Sequence, residues 1–174
     1  MGIIQKKICL LGEFAVGKTS LVRRYVEGTF DDTYLSTIGV KISRKVLKRE
    51  NYQLNLIIWD LAGGDDFSGH DKNYLRGAAG ALLVCDMTRP ETLGILYDYA
   101  RLLREISPEA RMAVAANKSD LSGEQRLNVA DLDALCQTVQ GQFLPTSAKT
   151  GENAERIIDL LADKLMSGND LVRT

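Results

Sequence analysis

The chain has 174 residues, 45% of them hydrophobic and 26% charged, a length and balance that suit one soluble domain with a sizeable core. Its 22 basic and 23 acidic residues leave a net charge of -1, which argues against nucleic acid or an anionic membrane as a bulk electrostatic partner. No apolar run approaches the ~20 residues of a membrane span, and the start "MGIIQKK" lacks the apolar segment of a secretory signal.

In chain order, residues 3–11 read as a first strand closed by the apolar run "ICLL". The loop "GEFAVGKTS" follows, and then a helix whose apolar stripe is Leu21, Val22, Tyr25 and Val26. Residues 40–48, within "VKISRKVLKR", mix charges with Val40, Ile42 and Val46, as an edge strand does. A turn around Glu50 and Asn51 should pair it with a strand at 53–60. Further strands are expected at 80–86, 111–117 and 142–146. The runs "LIIW", "ALLVC" and "MAVAA" are nearly continuous in apolar or small residues, as strands covered on both faces are.

Three more helices fill the gaps. Leu93, Leu96, Ala100 and Leu103 mark one, entered by "TRPE", where Thr88 and Glu91 have the spacing of a capping box. Val129, Leu132, Leu135, Cys136 and Val139 mark the next. Ala154, Ile157, Ile158, Leu161 and Leu165 mark the last, which should end near Gly168. Strands alternating with helices predict an α/β fold: a mainly parallel sheet with helices on both faces. The whole of 1–174 is expected to form this one domain. Ligands of such sheets bind beyond the carboxyl ends of the strands, and each motif below lies at such an end.

Cys9, Cys85 and Cys136 are odd in number, widely spaced and set in apolar surroundings, the pattern of buried free thiols in a reducing cytoplasm. Lys6 stands where a myristoylation signal needs Ser or Thr, and "NDLVRT" has no cysteine to prenylate. No membrane anchor is therefore expected within this sequence.

The first motif is Gly12-x-x-x-x-Gly17-Lys18-Thr19, a strand–loop–helix phosphate cradle. Backbone N–H groups across Glu13, Phe14, Ala15, Val16, Gly17, Lys18, Thr19 and Ser20 can surround phosphate oxygens at the positive end of the following helix. Lys18 supplies charge for the outer phosphates, and the Thr19 hydroxyl can ligate Mg2+. The second motif is Asp60, which closes "LNLIIWD" and can hold Mg2+ through water, opposite Thr19. Gly63, three residues on, can bring its N–H to a terminal phosphate.

The third motif, "NKSD", runs from Asn117 to Asp120 after a buried strand. Asp120 can accept from N1–H and the 2-amino group of guanine, whereas adenine would leave it unpaired. Such a site rejects the mismatched base by ~10^4 or more. The Lys118 stem can lie along the base, and Asn117 can tie the loops together. "TSAK" ends the last strand, and Ser147, Ala148 and Lys149 can complete the pocket.

On these motifs the chain resembles a Ras-superfamily small GTPase, most closely the Rab branch, over roughly residues 6–166. "DLAGG" and "YLRGAAGALLVCDMT" strengthen the resemblance, and "NLIIWDLAG" and "TRPETL" are similar to stretches of Rab-like GTPases of bacteria. It implies a three-layer P-loop G domain, with a six-stranded, mostly parallel sheet and one antiparallel edge strand. It implies GTP and GDP as ligands with Mg2+ bound by Thr19, Thr37 and Asp60, and Phe30 stacked on the guanine. Segments 30–40 and 63–76 would be the switches that bind protein effectors, with exchange and activating factors as further partners. Tyr34 can close over the phosphates, and Lys18, Thr37, Gly63 and Gly64 would form the hydrolytic end. A cytoplasmic monomer without nucleic-acid partners is expected.

Two departures stand at that end. Gly64 replaces the family's water-orienting Gln, and Phe14 replaces a small residue of the loop. Asp65 or Asp66 could position water, and His70, the sole histidine, sits in the second switch. Three functions are compatible with a phosphate loop: a slowly hydrolysing GDP/GTP switch, a nucleotide-holding module without turnover, and an ATP-dependent phosphotransferase. "NKSD" argues against the third.

Overall fold

The computed structural model describes residues 2–28, 39–64 and 71–167, without the side chain of Asp71. Phe30, Tyr34, Thr37, Asp65, Asp66 and His70, together with Gly168 at the expected end of the last helix, lie outside the described residues.

Six strands form one sheet in the order β2-β3-β1-β4-β5-β6. They are β1 (Gly2–Leu11), β2 (Val40–Lys48), β3 (Tyr52–Leu61), β4 (Gly80–Asp86), β5 (Arg111–Asn117) and β6 (Phe143–Pro145). Only β2 runs antiparallel, and it occupies an edge. Its charges therefore meet solvent on one side, and Arg49 N–H donates to the Tyr52 carbonyl to close the hairpin.

Alternation in the strands sorts the core into two layers. Ile8 and Leu10 of β1, Leu82 and Val84 of β4, and Ala113 and Ala115 of β5 face one side. There they meet Leu21, Val22 and Tyr25 of α1 (Lys18–Glu27) and Ile157, Ile158 and Leu161 of α4 (Ala154–Met166). Cys9, Leu11, Leu83, Cys85, Met112 and Val114 face the other side. They pack under Leu93, Leu96 and Leu103 of α2 (Glu91–Ile106) and Leu132 and Leu135 of α3 (Val129–Val139). The three cysteines are buried and free, as expected. Among the described residues no helix is long and apolar enough to cross a membrane.

Two local expectations fail. Val129 is 62% exposed, because it is the first helical residue after Asn128, whose side chain accepts from Asp131 N–H and turns the chain into the helix. The capping box of Thr88 and Glu91 does not form. Both the N–H and the hydroxyl of Thr88 donate to the Asp86 carboxylate instead. Pro90 takes helical dihedrals ahead of Glu91, which suits a residue with no N–H to satisfy.

Candidate functional site: a nucleotide cradle

Among the described residues, the carboxyl ends of β1, β3, β4, β5 and β6 bring the phosphate loop, Asp60 and the base motifs to one rim. Leu10 pairs with Asp60 across β1 and β3, so the phosphate loop and the acidic strand end start side by side. Cys85 and Asp86 pair with Ala116 and Asn117 across β4 and β5, which sets the base motif beside the turn before α2.

At the phosphate end the loop folds back over its own lysine. The Lys18 ammonium donates to the carbonyls of Gly12 (2.9 Å) and Glu13 (3.0 Å), and the side chain is buried. Burial lowers its pKa to about 8, against the pull of Asp60 and Glu13 and with a further push from Arg89. A buried cation held mainly by carbonyls is poised for an anion.

Thr19 donates its hydroxyl to Asp60 Oδ2. Asp60 is only 1% exposed, and among the described residues its Oδ1 has no hydrogen-bond partner. Burial raises its pKa, countered by Thr19, Lys18 and Lys41. An unsatisfied buried carboxylate oxygen beside a hydroxyl is hard oxygen chemistry, which fits Mg2+.

Gly63 presses directly on the loop. A Cβ there would lie 2.3 Å from the Gly12 carbonyl oxygen and 2.8 Å from Lys18 Nζ, so no side chain fits between this backbone and the lysine. Gly64 adopts φ +67°, and a Cβ on it would meet Glu13 Oε1 at 2.5 Å and Phe14 Cβ at 3.4 Å. Phe14 is 44% exposed. Its N–H donates to Glu13 Oε1 (2.7 Å), and its carbonyl accepts from Arg89 Nη2 (2.7 Å).

At the base end Asn117 joins three loops. Its Nδ2 donates to the Val16 carbonyl at 2.8 Å, and its Oδ1 accepts from Thr146 Oγ1 at 3.1 Å and Ala148 N–H at 3.3 Å. Asp120 is held by Ser147, whose hydroxyl donates to Oδ1 at 2.7 Å. From α1, Arg24 donates to the carbonyls of Ala148 and Lys149. The base loop is thereby fastened to the helix that carries Thr19. Lys118, at φ 65°, places its ammonium 2.8 Å from Asp86 Oδ2.

Asp86, Arg89 and Arg24 were not singled out in the sequence. Burial opposes charge on Asp86, but Lys118, Thr88 and Arg89 together hold its pKa below the ordinary carboxylate value. The signal for Asp86 was present: like Asp60, it is an acidic residue closing an otherwise apolar strand. Arg24 gave none, since its partners in the base loop lie more than a hundred residues away.

Comparison with known proteins gives a consistent result. A model of the Ras family matches residues 7–167. Ras-related protein Rab-22A of Mus musculus is 33% identical over 168 residues, which cover 96% of this chain and 87% of that protein. Ras-related protein Rab-31 of Rattus norvegicus is 35% identical over 158 residues, 90% of this chain and 81% of that protein. The strand order, the phosphate loop on β1, the base motif on β5 and these matches identify the chain as a member of the Ras family, a small GTPase of its Rab branch.

Proposed function

We propose that the protein is a single-domain GDP/GTP switch with slow intrinsic hydrolysis, acting through the segments 30–40 and 63–76. The observation that carries the reading is Gly64. It stands where the family's water-orienting Gln is expected, in a left-handed conformation that disfavours any side chain, with Glu13 in the space beyond.

In this reading the backbone N–H groups of 13 and 15–20 and the Lys18 ammonium bind the phosphates, Gly63 N–H meets the terminal one, and Phe14 N–H, held by Glu13 Oε1, lines the loop. Phosphate binding gives the buried lysine the countercharge that carbonyls alone do not supply. Asp120, oriented by Ser147, accepts from guanine, while Lys118 and Lys149 flank the base. Asn117 holds the phosphate and base loops at a fixed separation. Thr19, Thr37 and Asp60 would hold Mg2+, which supplies charge neutralisation at the β- and γ-phosphates. Phe30 and Tyr34 would cover the base and phosphates. The Phe14 ring would lean over the terminal phosphate and obstruct both a water-orienting side chain and an incoming arginine.

Segments 30–40 and 63–76 order around a terminal phosphate and relax without it, a mechanism familiar for this family. Val40 of the first segment, Tyr74 of the second and Trp59 of β3 are partly buried apolar residues packed on the same core layer, with the Trp59 and Tyr74 rings 5.8 Å apart. Apolar groups at both segments suit protein effectors, with exchange and activating factors acting on the same segments, in a monomer of the cytoplasm.

Nucleotide content followed by single-turnover hydrolysis tests the proposal. Guanine nucleotide bound tightly and GTP cleaved slowly is the expected result. Tight binding with no cleavage would make the protein a nucleotide-holding interaction module, and preference for ATP would end the reading.

A further inference from the structure

The side chain of Glu13 accepts from Phe14 N–H, but the reading so far gives it no part in hydrolysis. Its position gives it one. Glu13 Oε1 lies 2.5 Å from where the Cβ of a residue at 64 would be. The carboxylate therefore fills the first part of the space that a water-orienting side chain at 64 would use. It also lies in one cluster with the rest of the hydrolytic end. Lys18 Nζ donates to the carbonyl of the same residue at 3.0 Å, and the Glu13 charge acts on that ammonium. Gly63 sits against Glu13 as well, since a Cβ at 63 would be 2.7 Å from the Glu13 carbonyl carbon.

We infer that Glu13 replaces the missing Gln as the group that orients the attacking water and accepts its proton. This rests on the hydrolysing-switch reading and adds the residue that does the work at Gly64. As the water oxygen bonds to the γ-phosphorus, Glu13 accepts one water proton. The bond from the γ-phosphorus to the β–γ bridging oxygen breaks, and its electron pair leaves on GDP. The proton then passes from Glu13 to the phosphate product, which restores the carboxylate. A carboxylate next to a triphosphate is repelled by it, and two features offset this: the Lys18 ammonium and the Phe14 N–H bonded to Oε1 at 2.7 Å. Competition between that N–H and the water for one carboxylate is consistent with slow turnover. The pair of Glu13 and Gly64 then makes sense together, because a side chain at 64 would displace the carboxylate.

Glu13→Gln is the decisive variant. It keeps the shape and an oxygen to accept from Phe14 N–H, but it cannot take the proton. Protein loaded with GTP should hydrolyse it at least ~10^2-fold more slowly in single turnover, as is usual for loss of a general base. Affinities for GDP and GTP should stay within a few-fold. Glu13→Asp, which withdraws the carboxylate by one methylene, should fall between Glu13→Gln and the wild type. Wild-type rates in Glu13→Gln would overturn the inference, and so would a rate loss matched by an equal loss of affinity, since that marks a structural role. A wild type that binds GTP tightly yet never cleaves it would instead defeat the switch reading on which the inference rests.

Discussion

The two ends of the cradle are built on opposite plans. At the base end the protein satisfies itself. Asn117, Thr146, Ala148, Ser147, Asp120 and Arg24 exchange hydrogen bonds across three loops and α1. At the phosphate end it is left incomplete. Among the described residues Asp60 Oδ1 has no partner, Lys18 is buried with a lowered pKa, and two glycines withhold side chains. Specificity needs a rigid template, because the carboxylate that reads guanine must be held in one orientation, as the Ser147 hydroxyl holds Asp120. A switch needs the reverse at the phosphates, where the ligand supplies the missing charge and hydrogen bonds and its loss removes them.

The contrast can be broken first at the phosphate end. Lys18→Ala should abolish tight Mg-nucleotide binding at a cost of several kcal/mol, on the order of 3–5, by leaving phosphate charge unpaired in a partly dry site. Thr19→Ala should fail the same way by removing a proposed Mg2+ ligand. Calorimetry with Mg-GTP checks both, and wild-type affinity in either would refute the phosphate-cradle assignment.

The base end gives the next largest effect. Asp120→Asn should shift preference from guanine toward xanthine nucleotides, because xanthine carries a carbonyl where guanine has its amino group and Asn offers a donor. GDP should lose ~10^2-fold or more of its affinity relative to XDP. Competition binding reads the ratio, and an unchanged GDP preference in folded protein would contradict the role of Asp120.

Asn117→Ala strikes the bond between the two ends. It removes three hydrogen bonds and leaves the buried Val16 carbonyl and Thr146 hydroxyl without their partner. At about 1 kcal/mol each, the loss should be roughly 3 kcal/mol of stability in denaturant unfolding. GDP release should quicken, since only Arg24 then ties the base loop to the helix that follows the phosphate loop.

A smaller effect sharpens the electrostatic side. Lys18 has a folded pKa of about 8, below its unfolded value of 10.5, so between those values the unfolded chain binds more protons. Nucleotide-free protein should therefore gain stability from this group as pH rises from about 8 toward 10.5, and Lys18→Met should lack that gain. Phosphate raises the lysine pKa again, so GDP binding near pH 8 should take up protons. Calorimetry in buffers of differing ionisation enthalpy would detect the uptake.

Much of the arrangement was legible in the sequence, for identifiable reasons. Strands buried on both faces write continuous apolar runs, so "ICLL", "ALLVC" and "MAVAA" marked β1, β4 and β5. Residues that must sit at strand ends announce themselves by breaking such runs, as Asp60 and Asn117 do. Competition and distance were not legible. Thr88 had the spacing of a cap, but the buried Asp86 carboxylate took its hydroxyl. Arg24 reads as an ordinary surface residue of a helix until the fold brings Ala148 and Lys149 to it. The φ of Gly64 and the reach of Glu13 are properties of the folded loop, and no spacing encodes them.

The central claim is that Gly64, with Phe14 beside it, makes hydrolysis slow. Single-turnover GTP cleavage by wild type, Gly64→Gln, Phe14→Gly and the double variant tests it most directly. Loss of one preorganised group at a developing charge costs ~10^2–10^3 in rate, yet Gly64→Gln alone should recover little. Its side chain would have to share its space with the ring of Phe14, whose Cβ would lie 3.4 Å from the new Cβ. With Phe14→Gly added, recovery should be much larger than the two single effects combined, as for groups that compete for one space. Fast cleavage by the wild type, or full rescue by Gly64→Gln alone, would contradict the account.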